Sequence, residues 1–155
     1  MTRITHVSIT ARDLRKLREF YERALGFVEA RPERNFSGAW LAKGTGVGGA
    51  SICRVHLKLP GQESGGTLLE LIEYSDTVDD FTEPAANRTG LRHIALETGS
   101  AEELVKLRDS VLEHGGAGLG ELTEKVIDGL GTVTFIYMTD PEGNIIELIH
   151  WRESR

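Results

Sequence analysis

The sequence predicts an α+β fold made of one βαβββ unit written twice, and three observations carry that prediction. Thr67–Tyr74 (TLLELIEY) lies over Asn144–Trp151 (NIIELIHW) with the glutamate at the same place. Thr5–Thr10 (THVSIT) lies over Arg92–Glu97 (RHIALE) with the histidine in register. Between each histidine segment and its glutamate segment, a helical run is followed by β-like runs in the same order. An internal match of this kind is the signature of a repeated supersecondary unit, and 155 residues suit one domain of two half-size modules.

In the first module, strand alternation puts His6 on one face with Ser8 and Thr10, while Val7 and Ile9 turn into packing. Leu14, Leu17, Tyr21 and Leu25 recur at helical spacing after Asp13, an N-cap, and Gly26 closes the helix. β-like runs follow at 27–30 and 50–59, with 35–49 and the Gly-rich 44–49 and 61–66 read as loops. Those loops absorb the extra residues, about ten, that separate His6 from Glu70 compared with His93 from Glu147. The polar stretch 75–90, with Pro84, reads as the linker between module 1 (about 1–75) and module 2 (about 91–155).

In the second module, Ser100 and Glu103 form a capping box ahead of Leu104, Leu107, Val111 and Leu112, and Gly115-Gly116 ends that helix. Strands are expected at 122–127 and 132–138, before the glutamate strand.

Composition narrows the function classes. The net charge is -6 with no Lys/Arg cluster, which argues against a nucleic-acid partner, because backbone binding needs a basic face. Cys53 is the only cysteine, so no intramolecular disulfide forms; a reduced compartment follows, and the thiol reads as core. The first ten residues hold no apolar signal region and no run of 18 apolar residues occurs, so the expectation is a cytoplasmic protein without a membrane partner.

Gly44–Gly49 satisfies G-x-G-x-x-G but leads into a strand, so no helix N-terminus backs a phosphate. His56 is read as an outward residue beside Arg54 and Lys58, His114 as a helix C-terminal cation and His150 as a strand flank. Trp40 and Trp151 are read as core or interface. Tyr137 fits a core or a cavity, and Arg34, Arg88 and Arg92 could hold an anion but fit ordinary surface arginines better.

Glu70 sits between Leu68 and Ile72 with Leu69 and Leu71 behind, and Glu147 repeats this between Ile145 and Ile149 with Ile146 and Leu148 behind. An ionised carboxylate on a strand that is apolar on both faces protonates, pairs with a cation or ligates a metal. Arginine pairing is the simpler reading for either glutamate alone. Their equivalent positions in the repeat, each with an equivalent histidine, favour one shared explanation: a divalent ion (Zn, Ni, Co, Mn or Fe) held by His6, Glu70, His93 and Glu147.

These features resemble the vicinal-oxygen-chelate superfamily, which includes glyoxalase I, methylmalonyl-CoA epimerase, fosfomycin-resistance proteins and extradiol dioxygenases. The resemblance covers essentially the whole chain and is most specific over Tyr137–Glu147, where Asp140-Pro141-Glu142-Gly143-Asn144 delivers the last strand. It implies an open, cupped mixed β-barrel, a small-molecule substrate and a homodimer. The quartet His6, Glu70, His93 and Glu147 is similar to the glyoxalase I pattern, which implies proton abstraction next to a carbonyl by a lyase or isomerase. By that likeness Glu147 is the catalytic base and Glu70 serves the opposite face.

The epimerase is the nearest alternative, although it carries glutamine where Glu70 stands. Extradiol dioxygenases need a histidine shortly before Tyr137, where this chain has Asp128-Gly129-Leu130-Gly131. Non-catalytic ligand-binding and resistance proteins of this fold lack the quartet, and the fosfomycin-resistance ligand set has no counterpart of Glu70.

Overall fold

The computed structural model describes residues 2–62, 65–80 and 82–153. Residues 63 and 64 of the expected 61–66 loop, and residue 81 of the expected linker, lie outside the described residues. The chain forms two compact units, one of Met1–Glu22 with Gly26–Phe81, the other of Arg23–Leu25 with Thr82–Arg155. No helix among the described residues is long and apolar enough to cross a membrane.

The first unit runs β1 (His6–Thr10), α1 (Leu14–Leu25, of which Arg23–Leu25 group with the second unit), β2 (Val28–Ser37), α2 (Ala39–Thr45), β3 (Ser51–Lys58) and β4 (Leu68–Tyr74). Its sheet has the order β1-β4-β3-β2, with β1 parallel to β4 and the other neighbours antiparallel. Asp13 caps α1 by accepting from the Lys16 N–H at 3.0 Å, and Gly26 ends it at φ 72°. The Leu14 N–H donates to Glu73 Oε2 at 2.7 Å, tying α1 to β4. Because faces alternate along a strand, Glu73 shares its face of β4 with the buried Leu69 and Leu71. Glu70 and Ile72 belong to the opposite face.

Two parts of this unit depart from expectation. The 35–49 stretch is not a loop: β2 continues to Ser37 and α2 follows. A helix of seven residues containing Gly44 has little intrinsic stability. Packing supplies it, since Leu41 is buried with Ala50, Ile52 and Ile72, flanked by Phe36, Val47 and Tyr74. β2 is an edge strand whose register shifts between Glu29 and Arg31 and again between Arg31 and Arg34. Pro32, which cannot donate to a ladder, lies within the second irregularity, as edge strands and bulges allow.

The second unit runs β5 (His93–Glu97), α3 (Ala101–Glu113), β6 (Ala117–Gly118), β7 (Thr123–Ile127), β8 (Gly131–Thr139) and β9 (Ile145–Glu153). Its sheet has the order β5-β9-β8-β6, with β7 also on β8. The Glu103 N–H donates to Ser100 Oγ at 3.1 Å, and Glu103 Oε2 reaches back to accept from the Gly99 N–H at 2.8 Å, a capping box displaced by one residue. The β8–β9 turn is organised by buried Asp140, whose Oδ1 accepts from the N–H groups of Glu142 and Asn144, both at 2.9 Å. Gly143 stands at φ 88°, where a side chain would be strained.

Trp40 is not core: it is 63% exposed. Cys53 is half-buried on the α1 side of β3, and burial, reinforced by Glu33 and Glu73, pushes its thiol up to about 11. Alkylation by iodoacetamide at pH 8 is therefore expected to run roughly 100-fold slower than for a free thiol and to keep rising until about pH 11, because only the thiolate reacts; a rate that levels off below pH 9.5 would contradict this.

A Cβ at Gly116 would meet the Thr139 carbonyl oxygen and Val111 Cγ1, each at 2.5 Å, whereas one at Gly118 would meet only the Gly120 carbonyl oxygen at 3.7 Å. Thermal unfolding should show Gly116→Ala losing about 2 kcal/mol or more, with Gly118→Ala losing no more than about 1 kcal/mol.

Candidate functional site

The glutamate-bearing face of the first sheet is set by register. Across it run two adjacent rows: Ser8, Glu70, His56 and Arg31, then Thr10, Ile72, Arg54 and Arg34. His6 shares this face, paired with Leu68. Residues directly opposite on neighbouring strands share a face, so these side chains are neighbours.

Glu70 is only 4% exposed and is met from three sides. Its Oε1 accepts from Arg54 Nη1 at 2.8 Å and lies 3.4 Å from His56 Nε2, while its Oε2 lies 3.6 Å from His6 Nε2. The Arg54 guanidinium is itself braced over the Phe36 ring, 4.8 Å from the centroid. Glu70 therefore has both the histidine expected beside it and an arginine partner.

His56 is a correction to the sequence reading. It is 5% exposed, directly opposite Glu70, with its ring edge-on to His6 at 5.6 Å between centroids. Burial, which Glu70 opposes and Arg54, Arg31 and His6 reinforce, holds it below the usual histidine range, favouring the neutral ring. The alternation of Val55 and Leu57 places His56 on the other face of β3, as the sequence implies, but there it is buried against Glu70 and not turned to solvent.

The second unit repeats the register with different chemistry. His93 pairs with Ile145, as His6 does with Leu68; Tyr137 stands opposite Glu147, as His56 does opposite Glu70; and Phe135 stands opposite Ile149, as Arg54 does opposite Ile72. His93 Nε2 lies 3.2 Å from Glu147 Oε2. The Tyr137 ring lies 5.1 Å from that of His93 and 6.1 Å from that of Phe135. Burial first, and Glu147 second, push the Tyr137 phenol up, so it is a neutral donor at physiological pH. Among the described residues, His93 is the one basic side chain within ion-pair reach of Glu147.

Each unit thus brings together the histidine and glutamate expected as partners. The residues that sequence reasoning missed are Arg54 and His56; His56 is the counterpart of Tyr137 by strand pairing, not by distance along the chain from the glutamate.

The family model described as the Glyoxalase/Bleomycin resistance protein/Dioxygenase superfamily matches residues 3–148. The chain belongs to that superfamily. A glyoxalase family protein from Bacillus cereus is similar in structure, with a TM-score of 0.78 at 22% identity over 97% of this chain and 95% of that one. A glyoxylase/bleomycin resistance protein/dioxygenase domain from Frankia sp. EAN1pec gives 0.64 at 21% identity over 98% and 99%. A glyoxalase I variant from Zea mays gives 0.61 at 21% identity over 94% of this chain and 45% of that one, so this chain spans about half of the maize protein. No curated protein matches the sequence. Likeness at these identities shows the shared fold.

Among the described residues no group of three or more His, Cys, Asp and Glu side chains is set to hold a metal ion as it stands. The pairs nonetheless suit ligation two at a time. Donors about 2.1 Å from one ion at angles of 90–115° are separated by roughly 3.0–3.5 Å; His93–Glu147, at 3.2 Å, falls in that range and His6–Glu70, at 3.6 Å, just above it.

Arg54 is the charge that makes buried Glu70 tolerable. Arg54→Met keeps much of the side-chain volume and is expected to cost about 1–2 kcal/mol at pH 7, at the lower end because the arginine side chain is 35% exposed. In a Glu70→Gln background that cost should nearly vanish; an undiminished cost would show that packing on Phe36, and not the ion pair, is its source.

Proposed function

We propose that this chain is a metal-dependent lyase or isomerase of the superfamily, abstracting a proton next to a carbonyl in the manner of glyoxalase I. One divalent ion (Zn, Ni, Co, Mn or Fe) is held by His6, Glu70, His93 and Glu147. The observation that carries this reading is the repetition of a close His–Glu pair at the same register position in both units. An accidental pair would have no reason to recur.

When bound, the ion supplies Lewis-acid polarisation of a substrate carbonyl. The chain's own residues divide the remaining work. Glu70, gripped by Arg54 and His56, has little freedom to leave its position and serves as a fixed carboxylate. Glu147 is contacted by His93 and bordered by Tyr137, with its side chain 15% exposed. It is the carboxylate free to turn and take the proton, and it works as general base. The Tyr137 phenol, a neutral donor opposite it, is placed to hydrogen-bond a substrate oxygen.

The test is elemental analysis of purified protein, without chelator, alongside His93→Ala and Glu147→Ala, together with the molecular mass in solution. The expectation is about one divalent ion per chain in the parent and loss in both variants; a monomeric mass would place the ion within one chain. Glu147→Gln should retain metal but lose at least about 100-fold in turnover of hemithioacetals or acyl-CoA epimers. A parent protein that neither carries nor takes up Ni²⁺, Zn²⁺, Co²⁺, Mn²⁺ or Fe²⁺ would refute the enzyme reading and leave a ligand-binding module.

A further inference from the structure

We infer that the glutamate-bearing face of the first unit is an oxyanion site, in which Arg31 and Arg34, beside Arg54, bind a carboxylate or phosphate group of the substrate. The inference deepens the proposed function by naming a substrate class, and it rests on that reading only for its link to turnover.

The first observation is a local charge imbalance. Arg31, Arg34, Arg54 and Lys58 all lie in register on this face, together with His6 and His56, against the single carboxylate of Glu70. The chain as a whole carries -6, so this concentration of cations is not a reflection of composition. Arg34 stands directly opposite Arg54, and like charges in that arrangement repel. Arg54 already has Glu70 at 2.8 Å. Among the described residues, no carboxylate lies within ion-pair distance of Arg31 or Arg34, and both are exposed.

The second observation is that the backbone is arranged to produce this placement. Residues 31 and 34 are an odd number of positions apart and would project to opposite faces of a regular strand. The irregularity at Pro32 and Glu33 brings both into register with residues two apart on β3, His56 and Arg54. This irregularity and the one between Glu29 and Arg31 send the acidic residues the other way: Glu29 and Glu33 reach Arg18 on α1, at 3.1 and 3.6 Å. The bulged edge strand therefore sorts its charges, acids toward the helix and arginines toward the face of Glu70. Bulges commonly re-aim side chains beside functional sites.

The third observation is the comparison between units. At the positions equivalent to Arg54 and Arg34 the second unit carries Phe135 and Thr123. The charge thus belongs to one copy of the repeat and is not required by the fold. Guanidinium groups are suited to carboxylate and phosphate because their planar forks donate in pairs to two oxygens.

The test uses metal-free protein at fixed ionic strength, titrated calorimetrically with succinate, with inorganic phosphate and with the neutral ester dimethyl succinate. Saturable binding of at least one anion, but not of the ester, is expected. It should weaken at least 10-fold in Arg31→Gln/Arg34→Gln and be unchanged in Arg15→Gln/Lys106→Gln, which removes the same charge from helix surfaces. A preference for succinate or for phosphate supports the site and names the anion. Absence of saturable binding in the parent protein, or equal weakening in both double variants, would overturn it. Because metal is absent throughout, anion binding that persists in a protein unable to take up metal would defeat the metal reading alone, while metal uptake without anion binding would defeat this inference alone.

Discussion

A carboxylate on an apolar central strand has to be answered by another charge or by a bound cation, and each unit is arranged around that requirement. Glu70 is almost fully buried, on a strand whose other face carries Leu69 and Leu71 beside Val55 of β3. The cost of placing it there is several kcal/mol, roughly, if nothing compensates. Arg54, His56 and His6 converge on it, and β2 and Phe36 in turn hold Arg54. Sheet order, register and the aromatic brace follow from where this one charge is kept. In the second unit Glu147 is less enclosed and needs less: a histidine at 3.2 Å and a phenol beside it.

The two units show how a duplicated framework separates tasks. Parallel pairing of the first strand with the last, and antiparallel pairing of the last two, are the same in both. This common skeleton fixes where the histidine and glutamate stand. The positions around them have diverged, toward cations in one copy and aromatic rings in the other. A rigid carboxylate and a freer one arise from the same backbone by changing only the neighbours across the ladder.

Much of this was legible in the sequence because the relevant signals are local. The caps at Asp13 and Ser100, the glycine at 26 and the Asp140–Asn144 turn follow from hydrogen-bonding chemistry within a few residues, and the structure has all of them. The likeness of Thr67–Tyr74 to Asn144–Trp151 placed both glutamates on central strands. What escaped depended on contacts distant in sequence. Helix α2 exists because Leu41 reaches Ile52 and Ile72, which no local propensity reports. The length of β2 was hidden by Pro32, which a bulged edge tolerates. His56 was misread because its partner across the ladder is fixed by register, and the hairpin joining β3 to β4 is longer than its counterpart between β8 and β9. Laid end to end, His56 and Tyr137 do not align; laid by strand pairing, they do.

The irregular edge of the first sheet has a consequence beyond charge placement. A straight outer strand is a template onto which another extended chain can add, and that is a common route to aggregation. β2 offers no such template: its register breaks twice, Pro32 lacks an N–H, and it carries Glu29, Arg31, Glu33 and Arg34. The distortion that gathers the arginines also denies this border to another strand, so solubility and ligand recognition draw on the same local departure from regularity, and a substitution that straightened the strand would put both at risk.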